Sequence, residues 1–310
     1  MASKNKKGLG VGWIMLIVVT ALVDLGLLIT YLVRGKNIAL FNPKGFIAQE
    51  QYDLMMFVII VLFAVLIPVM SFFFFNAWKY RESNTKAKHT PDANHSKFLV
   101  FGMWLIPTAI MLVLASVMWP ATHRLAPQKS IDSDKKLLTI QVISLRWKWL
   151  FLYPEQGIAT VNFVQIPVDT PVQFEMTADE TPMSSFWIPN LGGQLYTMTR
   201  HVNRLNLMSD TVGDYPGSTP EINGIGFTGM KFTARVSSDK DFEQWAQTVK
   251  QSPDALDVST YNELLQPSQN NPAVHYSAFD DNLFDNVIMK YAGSMEGHSN
   301  EDSDEEGRGH

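Results

Sequence analysis

The 310-residue sequence predicts a membrane helical hairpin, preceded by a further apolar helix and followed by a β-sandwich and a short α-helical arm. Three observations carry this expectation. Apolar residues gather into three blocks before position 120, short runs of period-two alternation begin at Leu137, and the period turns helical after Ser238. The overall composition, 46% hydrophobic and 18% charged, looks like that of a soluble protein only because it averages two unlike parts.

The blocks at residues 11–33, 54–75 and 98–119 are 23, 22 and 22 residues long. At about 1.5 Å per residue each reaches roughly 33 Å, the thickness of a bilayer's hydrocarbon core. The second and third carry no charge, and Pro68 and Pro107 inside them are tolerated kinks of membrane helices. The link at residues 79–97 holds Lys79, Arg81, Lys86, Lys88 and Lys97 against Glu82 and Asp92, which assigns it to the cytoplasm and everything after Trp119 to the other side. The first block follows Lys4, Lys6 and Lys7, as a retained anchor or a cleaved signal would. Its end, Val33-Arg34-Gly35-Lys36-Asn37, puts two cations where a peptidase site needs small residues, which favours a retained helix and three spans. Asp24 lies within this block, where a carboxylate needs a partner or a proton, or else belongs to a removed segment.

The alternating runs are Leu137-Leu-Thr-Ile-Gln-Val-Ile, Trp147-Lys-Trp-Leu-Phe-Leu-Tyr, Thr160-Val-Asn-Phe-Val-Gln-Ile, Val172-Gln-Phe-Glu-Met-Thr, Arg204-Leu-Asn-Leu-Met and Lys231-Phe-Thr-Ala-Arg-Val. Pro, Gly, Asp and Asn separate them, as in a sandwich of about seven strands ending near Val236. Beyond it Phe242, Trp245, Ala246 and Val249 share one helical face, with Ser238 or Asp239 as N-cap. Tyr261, Leu264 and Leu265 mark a second short helix, and Leu283, Phe284, Val287, Ile288 and Tyr291 a third. Helices this short need a surface to pack on. The division expected is 1–36 for the N-terminal helix or signal anchor, 37–120 for the hairpin, 121–237 for the sandwich, 238–293 for the aromatic-rich arm and 294–310 for an acidic disordered tail.

Several chemistries are excluded outright. With no cysteine there is no disulfide, thiolate metal site, iron-sulfur cluster or cysteine nucleophile. A net charge of -5 argues against a nucleic-acid partner. His89, His95, His123, His201, His275, His298 and His310 show no metal-ligand spacing, and His201 reads as a surface residue. No nucleophile elbow, phosphate loop or dinucleotide fingerprint is present, and Asp280 with Asp281 reads as helix N-terminal charge. No catalytic or cofactor-binding residue is expected in this chain.

Asn42-Pro-Lys-Gly-Phe-Ile, Ala77-Trp-Lys-Tyr-Arg, Trp147-Lys-Trp-Leu-Phe-Leu-Tyr-Pro-Glu-Gln-Gly-Ile-Ala-Thr-Val and Phe186-Trp-Ile-Pro-Asn-Leu-Gly-Gly-Gln-Leu-Tyr resemble subunit II of the haem-copper respiratory oxidases, in its ubiquinol oxidase (bo-type) branch. The resemblance runs from about Asn37 to Tyr291 and implies a cupredoxin-like sandwich. In the cytochrome c oxidase branch the sandwich carries a binuclear copper centre built on an upstream His and Cys-x-Glu-x-Cys-x-x-x-His-x-x-Met. Aligned on Met230, this sequence has Phe227 at the downstream His, Asn223 and Thr219 at the two Cys and Ser184 at the upstream His, and it retains only Glu221 and Met230. Without thiolates the centre cannot be built, so no metal is expected here. Trp147 and Trp149, in the stretch through which electrons enter the copper branch, are then packing residues. The family's Glu seven residues before the proline of the third block is Val100 here, which leaves Glu82 as the nearest acidic candidate for a proton-entry role.

The resemblance implies a proton-translocating terminal oxidase of a bacterial inner membrane that oxidises ubiquinol and reduces oxygen to water. Haems, one copper and the quinol site are expected in partner subunit I, with further small membrane subunits around it and no cytochrome c. This multi-pass chain would contribute contacts rather than a redox centre, capping subunit I with a periplasmic domain. The alternative is a membrane-tethered binding or sensor domain unrelated to an oxidase.

Overall fold

A computed structural model describes residues 38–82, 84–86 and 96–291, with positions 20, 24, 26–28 and 31 of the first apolar block. The described residues fall into two units, one up to Asn42 and one from Pro43 onward. In the first, the described positions of the block are helical and a 3-10 turn spans Ala39–Phe41. The flanks that bear on cleavage, the acidic tail and His89, His95, His298 and His310 lie outside the described residues.

The second unit opens with α1 (Phe46–Lys79) and α2 (Lys97–Arg124), both long and apolar enough to cross a membrane. They run past the apolar blocks at each end, and Pro68, Pro107 and Pro120 are all accommodated within them. Phe72, Trp104 and Trp119 point outward, as lipid-facing side chains do. Asp24, Glu82 and Val100 are exposed, and Val100 sits in the first turn of α2. At the other end of the hairpin Arg124 donates to the Glu50 carboxylate.

The start of α1 is welded to two loops of the sandwich. The first-turn N–H groups of a helix lack internal partners, and no side chain caps this one. Instead Phe46 N donates to Met208 O (3.2 Å) and Ala48 N to Leu191 O (3.1 Å), while Ser209 Oγ donates to Lys44 O (2.7 Å). The approach is so close that a Cβ on Gly45 would lie 2.3 Å from the Met208 carbonyl oxygen.

The sandwich holds eleven strands among the described residues. β1 (Leu138–Leu145), β2 (Lys148–Tyr153), β3 (Ile158–Val161), β5 (Val172–Ala178), β8 (Asn203–Leu207) and β11 (Val274–Tyr276) form one sheet, ordered β11-β3-β2-β1-β5-β8. β4 (Phe163–Pro167), β10 (Lys231–Ser237) and β9 (Gly213–Ser218) form the facing sheet, and β6 (Ser184–Phe186) pairs with β7 (Leu195–Thr197). β1 runs parallel to β5 and β4 parallel to β10, so the sandwich is not wholly antiparallel.

The expected single strand 160–166 is two. Asn162 adopts a left-handed φ of 54°, breaking the run so that β3 joins one sheet and β4 the other. Its side chain secures the corner, with Oδ1 accepting from Trp149 N and Nδ2 donating to Asn271 O. Between the sheets Trp149, Phe151, Phe174, Phe186 and Phe232 make a closed aromatic core, with Phe186 and Phe232 stacked at 5.1 Å.

After β10, Ser238 caps α3 (Asp239–Lys250) by accepting from Asp241 N, and Asp257 caps α4 (Val258–Leu265) by accepting from Thr260 N. α5 (Leu283–Lys290) closes the arm, with Asp280 accepting from Asn282 N just before it. α4 and α5 cover the outer face of β1–β3, burying Ile143, Leu145, Leu150 and Leu152 beneath Leu256, Tyr261, Phe284 and Val287. The arm also supplies β11, which extends the large sheet beyond β3.

Gly45→Ala is expected to lower stability by about 1–3 kcal/mol, read as a lower unfolding midpoint of the detergent-solubilised protein, because backbone oxygen cannot yield to the new methyl as a flexible side chain would. A second expectation concerns His275 of β11, half-buried against the rings of Phe163 and Trp245, where burial holds its pKa below the ordinary histidine value. The unfolded chain then binds the extra proton more readily, so this contribution to stability is complete above about pH 6.5 and declines below it. His275→Gln should flatten that part of the stability–pH curve, followed through intrinsic tryptophan fluorescence.

Candidate functional site

The six positions aligned with the copper ligands lie in two segments, the start of β6 and the connection from β9 to β10. Hydrogen bonding brings most of them together. Asn223 Nδ2 donates to Ser184 Oγ at 2.8 Å and lies 3.3 Å from the Met230 sulfur, and all three residues are buried. Thr219 joins from the side, its Oγ1 accepting from Ser185 N at 3.2 Å and its N–H donating to Met230 O. Glu221 turns outward, where its carboxylate accepts from Tyr196 Oη at 3.0 Å and so raises the phenol's pKa. Phe227 opens the 3-10 turn Phe227–Gly229 and contributes a ring with no donor atom.

The connection is held from below by Trp147. Its indole N–H donates to Asn223 O at 3.4 Å, and the ring lies so close that a Cβ on Gly226 would sit 2.4 Å from it. Gly224 above the same ring has φ +131°, a conformation that favours glycine. Trp149 is fully buried, edge-on to Phe186 at 5.3 Å. Both tryptophans are thus in packing positions. Asn223 Oδ1, Ser185 Oγ and Trp149 Nε1 are buried with no protein partner.

Two hydroxyls, one amide and one thioether are a poor donor set for copper. Hydroxyl and amide oxygens are hard, neutral ligands, and the amide nitrogen already uses its hydrogens toward Ser184 and Met230. A binuclear copper centre does not fit these residues. Of the described histidines, His123 contacts Trp119 at the end of α2, His201 is exposed and His275 is sandwiched between rings.

A second constellation was invisible in the sequence. Asp179, 1% exposed, accepts from Tyr261 Oη (2.6 Å), Tyr291 Oη (2.5 Å) and Lys290 Nζ (3.0 Å). Lys290 also donates to Glu180 (2.7 Å). Burial raises the Tyr261 phenol and the Asp179 carboxylate raises it further. Burial works against the Lys290 charge, but Glu180 and Asp179 outweigh it and lift its pKa above the ordinary lysine value. From β2, Lys148 Nζ donates to the carbonyls of Leu264 (2.7 Å) and Gln266 (2.9 Å), satisfying the C-terminal end of α4, while its own burial lowers its pKa. These contacts clamp the arm to the sandwich across 82 to 118 residues of chain.

Asp179→Ala leaves a cation and two phenols without their shared acceptor and should cost about 3 kcal/mol. The checking measurement is limited proteolysis, with cleavage within residues 250–291 accelerated before the sandwich is cut.

A family described as COX Aromatic Rich Motif matches residues 250–295. Cytochrome bo(3) ubiquinol oxidase subunit 2 of Pseudomonas aeruginosa is 42% identical over 260 residues, covering 84% of this chain and 78% of that one. Its counterpart in Pseudomonas putida is 43% identical over 266 residues, covering 86% and 84%. Among solved structures, the periplasmic domain of subunit II of cytochrome oxidase from Bradyrhizobium japonicum aligns with a TM-score of 0.36 and 21% identity, covering 39% of this chain and 96% of that domain.

Proposed function

The chain belongs to the ubiquinol oxidase subunit 2 family, and from that premise we propose that it is the redox-silent second subunit of a proton-translocating terminal oxidase in a bacterial inner membrane. The partner subunit I carries the haems and a copper, oxidises ubiquinol and reduces oxygen to water. This chain lays its hairpin against subunit I and holds its sandwich over the periplasmic face. Further small membrane subunits complete the assembly, and cytochrome c has no docking role. The single observation that carries this reading is the closure of Ser184, Asn223 and Met230 on one another, where a redox centre would need open, soft ligands.

The physical work left to the chain is positional. The weld between α1 and the loops that supply Leu191 and Met208 fixes how the sandwich stands on the hairpin. The cationic link on the other side keeps the hairpin in one orientation.

Two measurements on the detergent-solubilised oxidase test this. The purified chain, loaded with copper and desalted, should retain no stoichiometric copper and show no purple absorption. Asn223→Ala should leave quinol-dependent oxygen uptake per haem within about twofold of the parent, while lowering thermal stability by about 1–3 kcal/mol through the lost buried hydrogen bonds. Stoichiometric copper, a many-fold drop in turnover per haem, or recovery of the chain in complexes free of haem would each overturn the reading.

A further inference from the structure

Between α4 and α5 lies a solvent-open groove of about 280 Å³, on the scale of the smaller ligand pockets, which start near roughly 300 Å³. Its lining mixes apolar side chains, Leu256, Val258, Leu265 and Leu283, with polar ones, Asn262 and Asn286 among them, and Asp257 and Asp280 stand at it as helix-flanking carboxylates. Val258 is 70% exposed although it lines the groove, and Met289 on α5 is 69% exposed. Asp179, Tyr261 and Lys290 of the clamp also line the groove, with the Lys290 charge engaged by Asp179 and Glu180.

Charge selects the occupant. Residues 251–291 carry six carboxylates, Asp254, Asp257, Glu263, Asp280, Asp281 and Asp285, against one cation, Lys290, which is held by Asp179 and Glu180. A second copy would bring the same acidic face, and a bilayer surface rich in anionic lipid would be repelled likewise. The chain's own C-terminal residues, Glu301, Asp302, Asp304, Glu305 and Glu306 among them, are of the wrong sign too. A free small molecule would leave much of its surface wet in so open a groove, whereas an apolar side chain on a larger basic surface gains from both the walls and the acidic surround.

We propose that the α4–α5 groove is a docking site for a basic polypeptide segment of another protein, which inserts a large apolar side chain between Val258 and Leu283 and sets lysines or arginines against Asp257 and Asp280. The site goes beyond the capping of subunit I. It needs only that the arm be folded and accessible.

The test is photo-cross-linking in intact membranes from Val258→p-benzoylphenylalanine, with Val212→p-benzoylphenylalanine, an exposed position before β9, as the control. The adduct at 258 should map by mass spectrometry to a segment of net positive charge that contains a large apolar residue, and the control should not yield it. Combining the probe with Asp257→Asn and Asp280→Asn removes the charges while keeping side chains that cap helices as well as aspartate does. The adduct should then fall roughly fivefold, and comparably in 0.5 M salt, as expected of rim charges that guide docking. Adducts to lipid alone, to a neutral or acidic segment, or insensitive to both charge removal and salt would overturn the proposal. Haem content and oxygen uptake of the same membranes report separately on the oxidase reading, so normal values with no adduct refute the groove alone.

Discussion

β2 is apolar on both faces, and the layering of the sandwich and arm is a consequence of that constraint. Trp149, Phe151 and Tyr153 point into the sandwich, and Leu150 and Leu152 point out of it. A strand of this kind needs two covers, because each exposed leucine would forfeit roughly 1.5–3 kcal/mol of burial. The three-stranded sheet is one cover and the arm is the other. The arm is therefore part of the domain's second core, and Lys148, on the same outward face as the leucines, directs its charge to the carbonyl end of α4.

The hairpin meets this two-core domain at a point where neither side is complete alone. α1 begins without a side-chain cap, and the carbonyls it needs belong to Leu191 and Met208. Gly45 is what permits the approach. The consequence is mechanical: tilt of the first helix is transmitted to the sandwich through backbone hydrogen bonds rather than through a flexible linker.

The two long apolar helices, the helical faces of the arm and the Ser238 cap were legible in the sequence because each is a local signal of apolar length, period or capping chemistry. The division of residues 160–166 into two strands was not, because Asn162 interrupts a good alternation through its backbone and leaves the apolar pattern intact. β9, Gly-Asp-Tyr-Pro-Gly-Ser, lacks an apolar period altogether and is a strand only through its pairing with β10. The Asp179 clamp had no signal to find. Its partners stand 82 and 112 positions away and are set beside it only by the way the arm folds back. The aligned ligand positions were nameable from a motif, but their convergence is a property of the fold.

That convergence ties the two segments together through the chain's own side chains. A bound metal cross-links the loops that supply its ligands and adds its binding energy to folding, so a chain lacking the ligand atoms must hold those loops by other means. Asn223 does this with one amide, bridging β6 through Ser184 and the start of β10 through Met230, while Trp147 braces the turn from beneath. The substitution is incomplete, since Asn223 Oδ1 and Ser185 Oγ are left buried without protein partners. Each unpaired buried group costs free energy. Such a site persists because the surrounding aromatic core and the arm supply enough stability to tolerate it, which places the strength of this domain in its packing and leaves Ser184, Asn223 and Met230 as a tie between loops.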